Sequence, residues 1–537
     1  MALFAKHVVA FGAICLAASS LGAQATKTAA ATPAAPACDL PMSKGSLGKA
    51  SFMFEQARSS LGTPAAAATA LKNTVKTLDT PDKADDPTAR AMLLGQTLSL
   101  WLGQPNIGYT PKRSTLGFTS NPEATIDLPS TVDSLFRVVE TAKPVCAKQT
   151  TDFRQYAYRE SANSAINALN AQKNDSAEFY ATQVTRLYPA SPYGPMILGS
   201  VASAKGDNAK ALQLWSQSAT NAAADTSYRD VRRQMLNNIG LTYLKEANSA
   251  SGTARQGAAR KAAEAYGQLI EVPGTTGGYL HTGRTNMQNA LLLEGDTAAL
   301  VKSYQPLLAA SASYDYTDLL NSAVNAARAM KSADAAKLFE ATLTKNPYSR
   351  DALYNLAVVY LTLEQNDKVA PIVKRLVEVD PANSENYNLA ARAYLALSKA
   401  ARTAKNTTGA AAYNDSTVSW FNRGTKVQSE VVFTEFSPSE KQAVLGGTVT
   451  DRRDKAETGA AAAPAPARGA KTKAKAPASK TFVPKPVTVN FEALDATGAV
   501  VGKGSTTTDA LTPGKSASFK VTIQGANVAG YRYTISG

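Results

Sequence analysis

The stretches TLTKNPYS (Thr342–Ser349) and LVEVDPAN (Leu376–Asn383) decide the architecture. In each, a segment of helix-spaced apolar residues is closed by a proline, and Pro347 and Pro381 are 34 residues apart. Proline lacks the amide hydrogen that would carry a helix onward, so each marks a terminus. Outward from these two positions the same internal logic repeats. Leu319 and Ala323 sit on one expected helix, and Ala335 and Phe339 on the next, before Pro347. Leu353, Leu356, Ala357 and Tyr360 are then followed by Val369 and Val373 before Pro381, and Tyr387, Ala390, Ala391 and Tyr394 open a third copy. The spacing is near i, i+3, i+4, which is helical. A two-helix unit of this length repeated along a chain predicts stacking, because one helical pair cannot bury its own apolar face. Stacked pairs curve, and the curvature gives an extended concave groove.

The pattern places small residues, Ala357 and Ala391, where two helices cross closely, and large aromatics, Tyr360 and Tyr394, late in the first helix. In this it resembles the tetratricopeptide repeat family. Earlier units fit the same frame: Ala165, Ala177 and Pro189 around the polar turn Gln172–Asp175, then Leu198, Gly199, the turn Lys205-Gly206-Asp207, Ala211 and Trp215. Ile239, Gly240 and Tyr243 open a further unit, with a long turn expected at Asn248–Gly257 and its second helix at Lys261–Ile270, and Gly295-Asp296 marks one more turn. Roughly six to seven units fill residues 151–425, more than the three that stability requires. The resemblance implies a groove lined by the first helix of each pair. Carried over residue by residue, the partner-facing candidates are Tyr193 and Met196 near the N-terminus, Val324 and Arg328, Tyr354 and Val358, and Asn388 and Arg392. Arg, Asn and Tyr together suit a peptide backbone or a carboxylate. These positions do not reproduce the Lys/Asn/Arg clamp of the chaperone-binding members.

At the N-terminus, Lys6 and His7 precede an apolar run, Val8–Leu21, and Ala23-Gln24-Ala25 supplies small residues for cleavage. That order predicts an export signal over 1–25 and places the protein in the periplasm or at the cell surface. The run is too short for a spanning helix, and no later segment reaches the length one needs. Removing the leader takes Cys15 with it and leaves Cys38 and Cys146, an even number suited to a disulfide in an oxidising compartment. A bridge closing that loop contributes on the order of 4 kcal/mol in the chain-entropy picture. A linker is expected over 26–43 and an N-terminal helical domain over 44–150.

Past Arg423 the helical spacing stops. Val431, Val432, Phe433 and Phe436 begin a β-like region continued by Ala443–Thr450, so first strands are expected over 427–455. Residues 456–486 are mostly Ala, Pro, Lys and Thr, have no apolar periodicity, and are expected to stay disordered or extended. Arg468, Lys471, Lys473, Lys475, Lys480 and Lys485 lie there and carry much of the formal net charge of +15. Over 487–537, Val487/Val489/Phe491, Phe519/Val521/Ile523 and Tyr531/Tyr533/Ile535 alternate with period two, separated by turns at Leu494–Gly498 and Leu511–Gly514. Phe491, Leu494-Asp495, the Gly498 turn, Leu511–Gly514 and Phe519 resemble the FxLyD kind of immunoglobulin-like module of bacterial envelope proteins, interrupted here by the Ala/Pro/Lys insertion. The fold class expected is therefore mainly α: a tetratricopeptide-type α-solenoid with a small C-terminal antiparallel β-sandwich.

Chemistry is poorly supplied. Two histidines in 537 residues, one of them in the leader, leave His281 alone, so no multi-histidine metal site can be assembled. Ser46-Leu47-Gly48-Lys49 matches Ser-x-x-Lys without the motifs that accompany it in acyl-transferring enzymes. The Gly274–Gly278 loop lacks a Gly-Lys-Ser/Thr ending, and Asp85-Asp86 before Pro87 reads as a helix cap. The reading is a non-enzymatic, cofactor-free exported scaffold that binds a protein or peptide in the cell envelope, with an envelope polyanion as a further expected partner and no nucleic acid. The alternative is a binding protein or enzyme of a cell-wall glycan or peptidoglycan, with Tyr354, Tyr360 and Trp215 as aromatic platforms.

Overall fold

A computed structural model describes residues 38–104, 107–439, 441–454 and 482–536. The expected leader, linker residues 26–37 and insertion residues 456–481 lie outside the described residues. The chain divides into two compact units, one of residues up to Thr242 with Glu271–Thr275, the other of Tyr243–Ile270 with everything from Thr276 onward.

In the first unit the helices begin where start signals stand. Helices α1 (Gly45–Ser59), α2 (Pro64–Asp79), α3 (Pro87–Leu102), the short α4 (Arg113–Leu116) and α5 (Leu128–Ala142) lead into α6 (Ala147–Asn170). Proline occupies the first helical turn of α2, α3 and α5, where its missing donor costs nothing. Asp86 caps α3 by accepting from the Ala89 amide at 2.8 Å, and Asp127 caps α5 through Ser130 at 3.2 Å. Leu71, Leu78, Met92, Trp101 and Phe136 are sealed in one core. Gly95 is required there: a Cβ at that position would stand 2.7 Å from the Phe136 ring. Cys38 and Cys146, 108 positions apart in sequence, are bonded, with Cα atoms 4.8 Å apart. Lys143 reinforces this closure by donating to the Asp39 carbonyl at 2.7 Å. Then come two antiparallel pairs, α6 with α7 (Asn174–Leu187) and α8 (Tyr193–Ala204) with α9 (Asn208–Ala223), followed by α10 (Arg229–Ser249).

The second unit holds α11 (Gly252–Glu271), α12 (Gly277–Glu294), α13 (Thr297–Ala309), α14 (Tyr316–Arg328), α15 (Ser332–Lys345), α16 (Arg350–Thr362), α17 (Asn366–Val379), α18 (Ser384–Thr403) and α19 (Thr407–Thr425). The long turn expected at Asn248–Gly257 is not there: α10 runs to Ser249 and α11 starts at Gly252. Alanine and arginine in Thr253–Lys261 are strong helix formers, and they override the Ser/Gly signal once the first turn has formed. First helices stack on first helices, α12 on α14, α14 on α16 and α16 on α18, while α13 packs on α15. Ala323, Ala357 and Ala391, each one period apart, are buried at the crossings, and Tyr360 is buried beside them. This is the pairing of a tetratricopeptide-type solenoid.

The C-terminal module has strands β1 (Ser429–Pro438), β2 (Gln442–Asp451), β3 (Thr488–Leu494), β4 (Val500–Thr507), β5 (Ser516–Gln524) and β6 (Gly530–Ser536). They form two three-stranded antiparallel sheets, β1-β2-β5 and β4-β3-β6. Alternate residues of both sheets, among them Leu445, Val489, Phe491, Phe519, Ile523 and Tyr533, share one apolar core. Replacing Cys38 and Cys146 together by Ser should lower the unfolding free energy by about 2–5 kcal/mol, read by urea melts of the oxidised chain against the variant. A midpoint that does not move would show that the bridge constrains nothing.

Candidate functional site

The partner-facing candidates separate by exposure. On α8, Met196 is 3% exposed and packs inward, so it offers no surface to a partner, and Tyr193 is half-buried with its ring edge-on to Tyr228 at 5.8 Å. Met196 is thus withdrawn from the set: the first helical turn of α8 is buried at Gly194 and Pro195 as well. On α14, α16 and α18 the others reach the surface. Arg328, Val358 and Arg392 are exposed, and Tyr354 and Asn388 are half-buried. Tyr354 and Asn388 stand 34 residues apart, as do Val358 and Arg392, so each pair occupies equivalent places on adjacent first helices. Asn388 donates to Glu385 at 3.2 Å, and Arg328 reaches Asn289 at 3.4 Å. Burial, with the Glu385 carboxylate next, raises the Tyr354 hydroxyl above its ordinary range, so it stays a neutral donor. The surface therefore carries donors from Tyr, Asn and Arg around the exposed Val358 methyls.

Of the three aromatics expected as platforms for a polymer, Tyr354 is half-exposed on α16, but Tyr360 and Trp215 offer no ring face to one. Tyr360 is buried and donates to Glu340 at 2.7 Å, and Trp215 is buried against Gly199. Ser46 hydrogen-bonds the Asp85 carboxylate and not Lys49, consistent with capping of the loop ahead of α3.

His281 sits in a network that composition alone did not reveal. Its Nδ1 lies 2.8 Å from buried Asp318 and its Nε2 3.2 Å from exposed Asp315, while Arg284 pairs with the second Asp318 oxygen. One ligand atom from each of His281, Asp315 and Asp318 lies within 4.8 Å of the others, the spacing of a metal-ligand set, while Arg284 pairs with the second Asp318 oxygen. Nearby, Gln288 donates to Ser322 at 3.0 Å and Asn321 to Thr285 at 2.9 Å. The signal that finds these pairs is the repeat itself: Arg284 and Asp318, and Gln288 and Ser322, are each 34 residues apart.

A second set of contacts went unread in the sequence. The turn before α16 (Asn346–Ser349) and the turn before α18 (Asp380–Asn383) both receive the β-module. Asn346 donates to the Ala529 carbonyl at 2.8 Å, and the Tyr348 ring lies against Gly498, whose φ of +87° and missing Cβ are both needed there. Tyr533 donates to Asp380 at 2.6 Å and accepts from the Ala382 amide at 3.3 Å. Arg452, just past β2, donates to Ser384 at 2.5 Å, and the Arg350 guanidinium sits 5.6 Å from the Phe433 ring centre. Burial, with the charge and hydrogen bond of Asp380 behind it, pushes the Tyr533 hydroxyl well above the ordinary phenol range.

No family model matches this sequence, and no curated protein matches it. Among solved structures the chain is similar to a tetratricopeptide repeat protein from Parabacteroides merdae, at 14% identity and a TM-score of 0.27 over 49% of this chain and 98% of that one. It is also similar to the P58(IPK) TPR domain, at 12% identity and a TM-score of 0.20 over 70% of this chain and 90% of that one. A third is the APC/C hetero-tetramer Cut9–Hcn1, at 12% and 0.21 over 71% and 77%. The fold assignment rests on the chain's own helix pairing.

Tyr533→Phe leaves the ring in place and strips the Asp380 carboxylate of a donor, which should destabilise the second unit by about 1–3 kcal/mol in urea melts. Above about pH 10 the unfolded chain loses the Tyr533 proton while the folded chain keeps it. The unfolded state then binds fewer protons, so the stability this group contributes is whole below that pH and falls as pH rises past it. The alkaline fall in urea midpoint should be shallower in Tyr533→Phe than in the native chain. Equal slopes would contradict the assignment.

Proposed function

We propose that the protein is an exported, non-catalytic scaffold that holds a protein or peptide of the cell envelope on the first-helix faces of α14, α16 and α18. The observation that carries this reading is the row Arg328, Tyr354, Val358, Asn388 and Arg392: donors and a small apolar patch that reach the surface on successive stacked helices, while Leu319, Ala323, Leu353, Ala357, Ala390 and Ala393 of the same helices are buried. Arg and Asn side chains in such a row recognise carboxylates and peptide backbone. Export is supported by the Cys38–Cys146 bond, which suits an oxidising compartment, and by the leader pattern of residues 1–25. Among the described residues no helix is long and apolar enough to cross a membrane. We read the β-module as FxLyD-like: Phe491 points into its core, and Asp495 closes the turn by accepting from Thr497 and Ala499 amides at 2.8 and 3.0 Å. The domain limits proposed are 44–150, 151–425 and 427–537 with the insertion at 456–486, and an envelope polyanion is the proposed partner of the insertion's lysines.

The test is a pull-down from a detergent-solubilised envelope fraction with the intact chain and with the triple variant Tyr354→Ala/Asn388→Ala/Arg392→Ala. All three positions are at least partly exposed, so the variant should fold with an unchanged melt and lose its partner by ten-fold or more. A partner retained equally by both, or none recovered by either, counts against the reading.

A further inference from the structure

The contacts of the β-module fall on a specific pair of places. It touches the solenoid at the turn and first helical residue of α16, through Asn346, Tyr348 and Arg350, and at the turn and first residue of α18, through Asp380, Ala382 and Ser384. Asn346 and Asp380 are equivalent positions, one period apart, as are Arg350 and Ser384. One small sandwich therefore grips the same feature in two consecutive repeats. Tyr354 lies one helical turn beyond Arg350, and Asn388 one turn beyond Ser384.

The gripping atoms are not interchangeable. At the α16 turn the module supplies an acceptor, the Ala529 carbonyl, and a flat glycine surface for Tyr348. At the α18 turn it supplies a donor, the Tyr533 hydroxyl, to a carboxylate that is 1% exposed and also accepts from Asn386 at 3.0 Å and Asn383 at 3.2 Å. A buried carboxylate is tolerated only with its donors in place, so the docked module is held to this turn by the Tyr533 hydroxyl that Asp380 needs while it stays buried. Ala529, Gly530 and Tyr533 belong to one short stretch entering and running along β6, which is hydrogen-bonded along its length to β3. The two grips are thus fixed to each other by a rigid strand.

We infer that the C-terminal module is a spacer, setting the separation of α16 and α18 from the turn side and thereby the width of the surface between Tyr354/Val358 and Asn388/Arg392. The inference rests on the reading of that surface as the partner site. If the separation depends on docking, partner binding and module docking are linked, each strengthening or weakening the other by the same factor. The module then acts on the partner without touching it.

The experiment needs no partner, so its outcome is separable from that of the pull-down. Nitroxide labels at Val358→Cys and Arg392→Cys, in the full chain with Cys15→Ser and the native Cys38–Cys146 bond intact, report the α16–α18 separation through dipolar broadening in frozen solution. The comparison is with the same labels in Asn346→Ala/Tyr533→Phe, and amide exchange of β6 reports whether the module has loosened. The expected result is β6 exchange at least ten-fold faster together with an altered and broader dipolar line shape. Faster β6 exchange with an unchanged line shape overturns the inference, because docking would then be passive. Unchanged β6 exchange also overturns it, because the two grips would not be what holds the module. Should the double variant fail to fold, Arg452→Ala removes the Ser384 contact to the solenoid, together with the Glu430 ion pair inside the module, and carries the same comparison.

Discussion

A buried carboxylate at the end of a helix organises the second unit. Asp380 closes α17, and its oxygens take hydrogen bonds from Asn383, Asn386 and, across 153 residues of sequence, Tyr533. Taking an ionised carboxylate out of water is costly by several kcal/mol unless nearly every lone pair is satisfied. That requirement makes the site conditional: the turn is complete only when β6 is present to supply the phenol. The Arg350 guanidinium adds a positive charge on the same side, with its ordinary basicity reinforced by Tyr531, Asp351 and Asp380 against the cost of burial. The helical repeats and the sandwich thus meet through atoms that neither part satisfies alone.

A repeat array has a structural liability that this arrangement addresses. Each unit contacts only its neighbours, so stability is close to a sum of local terms and the spacing between adjacent first helices is held by few contacts. Apolar seams such as Ala323, Leu353, Ala357 and Ala390 bury area without direction, which stabilises stacking but constrains it weakly. A β-sandwich is the opposite kind of object. Its strands are cross-bonded, and its aromatic core of Phe433, Phe491, Phe519 and Tyr531 is packed ring against ring. Bonding it to two successive turns lends the array the stiffness of the sheet.

What could be read from sequence, and what could not, follows from range. The helix pairs were legible because apolar spacing and proline stops are local: Pro347 and Pro381 end α15 and α17 within two residues of where the spacing places them. The strands were legible for the same reason, Val489 and Phe491 facing inward on alternate positions of β3. Locality also produced the failures. Ser249–Gly252 carries turn residues, yet the alanine-rich run behind it extends α11 back to Gly252. Met196 has the spacing of a groove residue, but spacing does not say which side the next unit covers. Asn346 and Asp380 are ordinary turn formers in sequence, and nothing near them announces partners at Ala529 and Tyr533.

The period carries more than the fold. In a stacked array, side chains one period apart face each other across adjacent units, so a sequence written in rows of 34 is also a contact map between neighbours. Rows that pair Arg284 with Asp318, Gln288 with Ser322 and Arg260 with Glu294 specify polar contacts between particular helices. Rows that pair Ala323 with Ala357 and Ala391 specify close crossings. The two kinds act differently. Alanine rows permit approach but accept small slips along the helix axis, whereas a buried amide-to-hydroxyl bond such as Gln288–Ser322 is lost by a slip of a fraction of a turn and leaves unpaired polar atoms behind. Two of these polar rows lie in the α12–α14 stack and the third joins α11 to α12, while the docked module grips α16 and α18. Directional contacts therefore flank the stretch that carries Arg328 and Tyr354 and cross it once, at the Tyr316–Ser349 hydroxyl pair 2.7 Å apart, and the apolar seams fill the rest.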